Sequence, residues 1–287
     1  MDITQLAQPL ATPLAATRPF HPVRLRQTVL KMAHAGATVH IACAFSIIEL
    51  VAVLHRHHLS YPGNAPRADA RDYFVLSKGH GVMAQYACMH ERGWLSDADL
   101  ESYFADGTAL KGLSDSRIPG LEVTSGSLGH GFSVGVGLAM GLQRLRSDQK
   151  VFALVGDGEI NEGPVWEGAL VAAHHRLDQL MMIVDCNGFQ AMGRTEEVLS
   201  LGHLPARLAS FGLAVQVVDG HDEQAIDAAI RSLWQQQPGR PKALVARTVK
   251  GKGVPFMENQ NQWHYTRLNE QTFAEAMAIV AAGLEAS

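Results

Sequence analysis

VFALVGDGEINEGPVWEGALVAAHHRLDQLMMIVDCNGFQAMG, residues 151–193, reads as one βαβ unit. The opening run, residues 151–155, is apolar with β-branched members, as expected of a strand buried on both faces. It stops at Gly156-Asp157-Gly158, where two glycines let the backbone approach a ligand closely while one carboxylate is presented. A helix over residues 163–175 follows, and its first-turn N–H groups favour an anion. A second apolar strand, residues 181–186, ends at Asn187-Gly188. One strand therefore ends on an acid and the next on an amide.

In a parallel sheet, ligands bind beyond the carboxyl ends of the strands, so Asp157 and Asn187 are expected side by side. A carboxylate and an amide oxygen among glycines suit Mg²⁺, which takes few protein oxygens and completes its shell with phosphates and water. The unit is expected to hold a diphosphate through Mg²⁺. Gly156-Asp157-Gly158-Glu159 lacks the third glycine of GxGxxG and contains no Gly-Lys-Ser/Thr, so neither a dinucleotide fingerprint nor a P-loop fits. Taken alone, Gly-Asp-Gly is equally a tight βα turn, and Asn187-Gly188 an Asx turn. The pairing, with Asn187 thirty residues after Asp157, resembles the thiamine-diphosphate motif.

At 287 residues, the chain suits one large α/β domain, residues 19–287, behind a loose arm over residues 1–18. A net charge of −4, with no basic cluster interleaved with aromatics, gives no case for nucleic acid. No apolar run reaches the roughly eighteen residues of a membrane span, and the start lacks the features of a signal peptide. Cys43, Cys88 and Cys186 are odd in number and widely spaced, and read as reduced thiols of a cytoplasmic protein. Fourteen histidines weaken each one as a signal, so each must be argued from its context.

Along the chain, apolar residues at helical spacing predict a helix over residues 20–35. A second is predicted over 46–58, with Ser46 as its N-cap. That helix ends in His55-Arg56-His57-His58, read as a solvated, dipole-favoured C-terminus with metal ligation as the alternative. A strand at 72–76 leads into Ser77-Lys78-Gly79-His80 and a helix to about residue 92. Residues 106–129 read as a long loop. Gly131, Gly135, Gly137 and Gly141 predict a helix over 131–145 packed very closely on a neighbour. After the central unit come a helix at 203–211, a strand at 213–218, a helix at 222–235, a strand at 243–248, the loop Lys250-Gly251-Lys252-Gly253, and a final helix from about residue 269. Strands alternating with helices predict a parallel sheet with helices on both faces.

Five motifs in order, VHIACAFS, LSKGHG, TSGSLGHGFS, the GDG–Asn unit and KGKGVPFMENQNQWH, resemble the N-terminal half of a transketolase, a resemblance that covers roughly residues 20–285. The chain is most similar to the separate N-terminal subunit of split transketolases. The resemblance implies thiamine diphosphate and Mg²⁺ as cofactors. It implies Asp157, Asn187 and the backbone carbonyl of Phe189 as metal ligands, with Gly156 and Gly158 against the diphosphate. His80 inherits a place in the cofactor and substrate channel, and His264 a place near the diphosphate and reacting carbons. His40 matches the early histidine of the family's GHxGG. Gly126, Leu128 and Gly129 belong to the GSLGQG loop beside the cofactor, where His130 replaces the glutamine. Glu162 and Glu167 match acids near the family's subunit interface; the simpler reading is a carboxylate favoured in a first helical turn.

Two departures stand out. GHxGG becomes His40-Ile41-Ala42-Cys43, and the family's Gly-His-Pro becomes Gly112-Leu113-Ser114. A histidine that meets substrate hydroxyls is replaced by apolar Leu113, which implies a drier pocket and a non-standard acceptor. The resemblance implies two-carbon ketol transfer from a ketose donor to an aldehyde-type acceptor. Because the chain ends after the diphosphate domain, the pyrimidine-binding domain is expected on a partner C-terminal subunit, in an α₂β₂ assembly, without which this chain is inactive. The alternatives are an enzyme subunit similar to 1-deoxyxylulose-5-phosphate synthase, a 2-oxoacid-decarboxylating subunit, and a non-catalytic scaffold.

Overall fold

Pro22 at the first helical position, and the His21 ring accepting the Val23 N–H at 3.3 Å, start α1 (Pro22–Ala35). The computed structural model describes residues 20–36 and 39–285, so the arm expected over residues 1–18 lies outside the described residues. Two short, buried helices follow, α2 (Ile41–Phe45) and α3 (Ile48–Val53), and a π-turn, Leu54–His58, ends the second. The single helix expected over 46–58 is thus broken. Ser46 is not its N-cap; it lies buried between α2 and α3 and sends its hydroxyl to the Cys43 carbonyl at 3.2 Å and to Asp185 at 2.8 Å.

The basic end of that segment is not a solvated terminus either. His55 accepts a hydrogen bond from Arg92 Nε at 2.9 Å, and His58 meets Asp227 at 2.8 Å. Both are buried because Arg92 and the helix Glu223–Gln236 close over the turn. Among the described residues, no three His, Cys, Asp or Glu side chains are arranged to hold a metal ion.

The chain then forms β1 (Tyr73–Leu76), α4 (Val82–Glu91), α5 (Asp97–Glu101), α6 (His130–Leu145), β2 (Val151–Gly156), α7 (Gly163–His174) and β3 (Leu180–Cys186). A two-residue-per-strand hairpin, β4 (Phe189–Gln190) and β5 (Gly193–Arg194), leads to α8 (Thr195–Leu199) and α9 (Leu204–Ser210). The last elements are β6 (Ala214–Asp219), α10 (Glu223–Gln236), β7 (Lys242–Arg247) and α11 (Glu270–Glu285). Sequence patterning does not anticipate α5, held by a Ser96–Asp99 capping box, or the hairpin; both are too short to show a period.

Five strands pair in parallel in the order β1-β2-β3-β7-β6. Alternate residues serve opposite cores, as the continuous apolar runs require. Phe152, Leu154, Met181 and Ile183 join side chains of α1, α3, α4 and α10. Ala153, Val155, Met182 and Val184 join α6, α7 and α9. Gly156 pairs with Asp185, and Cys186 with Arg247, so the ends of β2, β3 and β7 lie level along one edge.

α6 descends onto β1 and β2 through two of its glycines. A Cβ on Gly131 would come within 2.6 Å of Ser77 Cα, and one on Gly135 within 3.3 Å of the Ala153 methyl. The close packing expected of Gly137 and Gly141 is absent. Both look into open space, because that side of α6 faces away from the described protein.

Candidate active site

The carboxyl edge of the sheet brings together the acid and the amide that the sequence pairs. Asp157 follows β2 and is 2% exposed. Its carboxyl accepts the Gly158 N–H at 2.8 Å and the Gly188 N–H at 2.6 Å. Burial, and next the charge of Asp185, push this carboxyl up to about 7; the two amides and Lys78 only partly oppose them. Asn187 follows β3. Its amide nitrogen donates to Asp185 at 2.8 Å, and its carbonyl accepts the Phe189 N–H at 3.0 Å. The amide is thereby fixed, with its oxygen turned toward residues 188–189.

Asp185 is a site residue that the motifs do not point to. It is fully buried inside β3 and accepts from Ser46, Asn187, Lys78 and Thr248. Burial alone would raise it, but the Lys78 ammonium and the hydrogen bonds from Lys78, Thr248 and Ser46 outweigh that and hold it below the usual carboxylate range. The available signal is an acid within an otherwise apolar strand. Lys78, in the SKGH motif, also reaches the Cys43 carbonyl at 3.1 Å. Glu159, in the turn after Asp157, is a second buried acid of the site. It binds the Gly129 N–H at 2.8 Å, the Gly156 N–H at 3.0 Å and the Ser77 hydroxyl, joining three of the motif loops.

The three singled-out histidines converge. Ring centroids lie 5.1 Å apart for His40 and His80, 5.4 Å for His40 and His264, and 5.8 Å for His80 and His264. Burial and the neighbouring cations, Lys250 foremost, bring His264 down to about 3; burial, His264 and Lys250 bring His40 down to about 4. Burial also lowers His80, against the opposing pull of Cys43. All three are therefore neutral imidazoles at neutral pH, able to donate one hydrogen bond and accept another. Lys250 Nζ sits 2.7 Å from His264 Nδ1 and 3.8 Å from Cys43 Sγ. Burial would raise the Cys43 thiol, but Lys250, a hydrogen bond from His80 and Lys78 bring it down to about 7. Cys43 and Lys250 stand in separate motifs, 207 residues apart, and neither motif alone gives its residue a role.

These groups line one cavity of about 610 Å³, a size that suits a cofactor of modest mass. His40, His80, His264, Gly126, Leu128, Gly156, Asp157, Gly158, Asn187 and Phe189 all reach it. Gly129 does not; it stands one step behind, with φ +83° at the start of α6 and its N–H on Glu159. Gly158 has no room for a side chain, since a Cβ would lie 2.6 Å from Gln190 Cβ in the hairpin. His130 is exposed, turns its ring toward the Leu128 carbonyl at 3.2 Å and stays outside the cavity. Glu162 lines the cavity where α7 begins, whereas Glu167 is exposed on the outer side of α7. Leu113 is 40% exposed at the mouth.

Residues 24–283 match the family model described as transketolase, thiamine diphosphate binding domain. The chain belongs to this transketolase family. It is 34% identical over 260 residues to one of the subunits of the apulose-4-phosphate transketolase of Phocaeicola vulgatus, covering 91% of this chain and 92% of that one. It is 35% identical over 240 residues to the 6-deoxy-6-sulfo-D-fructose transketolase subunit SqwG of a Clostridium species, covering 83% and 87%. A solved transketolase from Leishmania mexicana superposes with a TM-score of 0.82 at 24% identity, over 95% of this chain. The chain spans 45% of the length of that transketolase. The transketolase resemblance and the parallel α/β fold expected from the motifs are borne out, and the domain is of the thiamine-diphosphate-binding type.

Proposed function

We propose that the chain is the N-terminal subunit of a two-component transketolase, moving a two-carbon ketol unit from a ketose to an aldehyde-type acceptor with thiamine diphosphate and Mg²⁺. The observation that carries the reading is Asp157, a buried carboxyl with two backbone donors and no cation of its own beside the fixed Asn187 carbonyl. Lys78, the nearest ammonium, is engaged by Asp185. A dication held by Asp157, Asn187 and the Phe189 carbonyl would supply the missing positive charge, so the residues present fit the metal. Gly156 and Gly158, with Gly126 and Leu128, border the diphosphate, Gly129 supports that loop from behind through Glu159, and His264 and His80 reach the diphosphate as neutral donors. Thiamine diphosphate, when bound, supplies the electron sink for the two-carbon unit. His40, His80 and His264 hold and exchange protons at the hydroxyls of the sugar.

The partner in this reading is a C-terminal subunit carrying the pyrimidine-binding domain. The names of the relatives, each a transketolase subunit, support it. An α₂β₂ assembly is supported by exposed Val134, Leu170 and Val171 on α6 and α7, beside the open Gly137 and Gly141. In this reading residues 19–287 form the diphosphate-binding domain, and the protein works in the cytoplasm. Among the described residues, no helix is long and apolar enough to cross a membrane. The relatives do not favour a synthase of deoxyxylulose type, a decarboxylase or a scaffold. Donor screening separates these: carbon transfer from a ketose without CO₂ release supports the reading, and CO₂ release from a 2-oxoacid contradicts it.

The two relatives are named for different ketoses, so membership of the family leaves the donor open. Leu113 bears on the acceptor. Its Cδ1 would lie 3.1 Å from a Cβ on Gly126, which places it over the cofactor loop. Leu113→His is expected to raise kcat/KM for a hydroxylated sugar-phosphate acceptor by roughly 2–10-fold, the worth of one hydrogen bond. Acceptor kinetics of the variant check this, and a fall for every hydroxylated acceptor would contradict it.

A further inference from the structure

Lys250 is buried, yet it rides on a surface-crossing loop after β7, and a long lysine stem has many ways to miss a target. The loop is held from the side away from the cavity. His221 Nε2 accepts the Val249 N–H at 2.8 Å, one residue before Lys250. Arg26 Nε donates to the Lys252 carbonyl at 2.8 Å, two residues after it. Glu49 joins the two grips. Its carboxylate takes Arg26 Nη2 at 2.7 Å on one oxygen, and His221 Nδ1 at 3.0 Å on the other. Because Nε2 of His221 accepts, its proton sits on Nδ1, and Glu49 fixes that tautomer. Gly253 is part of the same arrangement: a Cβ there would lie 3.0 Å from Arg26 Nε. Arg26 and Glu49 are each 6% exposed, so this is an interior clamp and not a surface ion pair.

We propose that Arg26, Glu49 and His221 are positioning residues that aim Lys250 into the cofactor cavity, gripping its loop on both sides from behind. None of the three lines the cavity. They act through the backbone at residues 249 and 252, and the ammonium they aim meets His264 and Cys43. The functional meaning rests on the ketol-transfer reading of the site, but the geometry does not. A ligand-facing group held by a supporting shell loses function when that shell loosens by about 1 Å. The loop has other holds, in which the Gly251 N–H donates to the Ala42 carbonyl at 3.1 Å, the Asn259 N–H to the Lys250 carbonyl at 2.9 Å and the Gly253 N–H to Glu258; the clamp adds the side-chain grips at residues 249 and 252.

The test uses the Cys43 thiol of the full chain as a reporter. Cys43 faces Lys250, Lys78, His80 and His264. Its rate of alkylation by iodoacetamide is followed against pH, with the modified peptide identified by mass spectrometry. Lys250→Met is expected to move the half-maximal pH upward by on the order of one unit, as loss of a neighbouring cation does. His221→Ala and Glu49→Gln are expected to move it the same way by a smaller amount. His221→Gln, whose amide can still accept the Val249 N–H, is expected to restore it. Lys250→Met with His221→Ala is expected to match Lys250→Met alone, because the clamp acts through the lysine. Cys88, fully buried in the core, reports folding by staying unreactive. A wild-type profile in folded His221→Ala, or additive shifts in the double variant, would overturn the proposal. The reporter needs neither cofactor nor partner, so either result leaves the ketol-transfer reading to be judged by its own experiment.

Discussion

Asp157→Asn is expected to weaken Mg²⁺-dependent binding of thiamine diphosphate by about two orders of magnitude or more, while making the free chain more stable at pH 8. The first effect follows from losing the one carboxylate of the proposed metal site, where even outer partners of a ligand are worth about 10–100-fold. The second follows from the raised pKa. A carboxyl lifted from 3.8 to about 7 binds its proton more tightly when folded. Its contribution to stability is therefore full below pH 4 and is lost as pH rises through about 7. At roughly 1.4 kcal/mol per unit, the ionised group costs the free chain on the order of 4 kcal/mol at pH 8. Asparagine keeps the shape and one acceptor but leaves a buried N–H of Gly158 or Gly188 without its partner, which returns about 1–3 kcal/mol. The net expected gain is about 2 kcal/mol at pH 8, shrinking toward pH 4. Urea unfolding at pH 5 and pH 8, with and without Mg²⁺ and cofactor, measures both effects. Adding them should reverse the order of the two proteins; unchanged cofactor affinity in the variant would remove the metal assignment.

Glu159→Ala is expected to destabilise the free chain by on the order of 3–5 kcal/mol. Its carboxylate is 2% exposed and receives Gly129, Gly156 and Ser77 from three separate loops. Each donor left unpaired in the interior costs about 1–3 kcal/mol. Burial pushes the Glu159 carboxyl up, so part of that cost is offset by removing a charge that sits uneasily there. Glu159→Gln retains one oxygen acceptor and is expected to recover about half of the loss. Denaturant midpoints check the order wild type, Gln, Ala. Equal stability of the Ala variant would mean that water replaces the carboxylate and that the three loops do not depend on it.

The central unit is legible because both of its strands are buried on both faces, so their apolar runs are continuous and stop where the ligand groups begin. The distance of thirty residues from Asp157 to Asn187 is then fixed by one helix and one strand, and β2 and β3 pair in register. The three histidines are legible through their motifs, and they meet in space. Other features depend on contacts between distant segments. Ser46 has the local signature of a helix cap, since nothing nearby shows that Asp185, far along the chain, claims its hydroxyl. His55 and His58 look solvated in sequence because the groups that bury them, Arg92, the rings of Tyr61, Phe74, Trp94 and Phe152, and α10, come from elsewhere in the chain. Gly137 and Gly141 share the spacing of Gly131 and Gly135, but the helix turns that pair away from the sheet. Cys43 and Lys250 gain their chemistry from each other, across two loops that a local reading treats separately.

The central claim is that this chain carries one half of a ketol-transferring site and needs a second polypeptide to work. The most direct measurement is two-carbon transfer from a ketose to an aldehyde by the purified chain, saturated with Mg²⁺ and thiamine diphosphate, as a C-terminal transketolase subunit is titrated in. The expected result is no turnover by the chain alone, with activity rising to a plateau at one partner per chain and no CO₂ released. Full turnover by the chain without a partner, or none at any ratio despite bound cofactor, would contradict it.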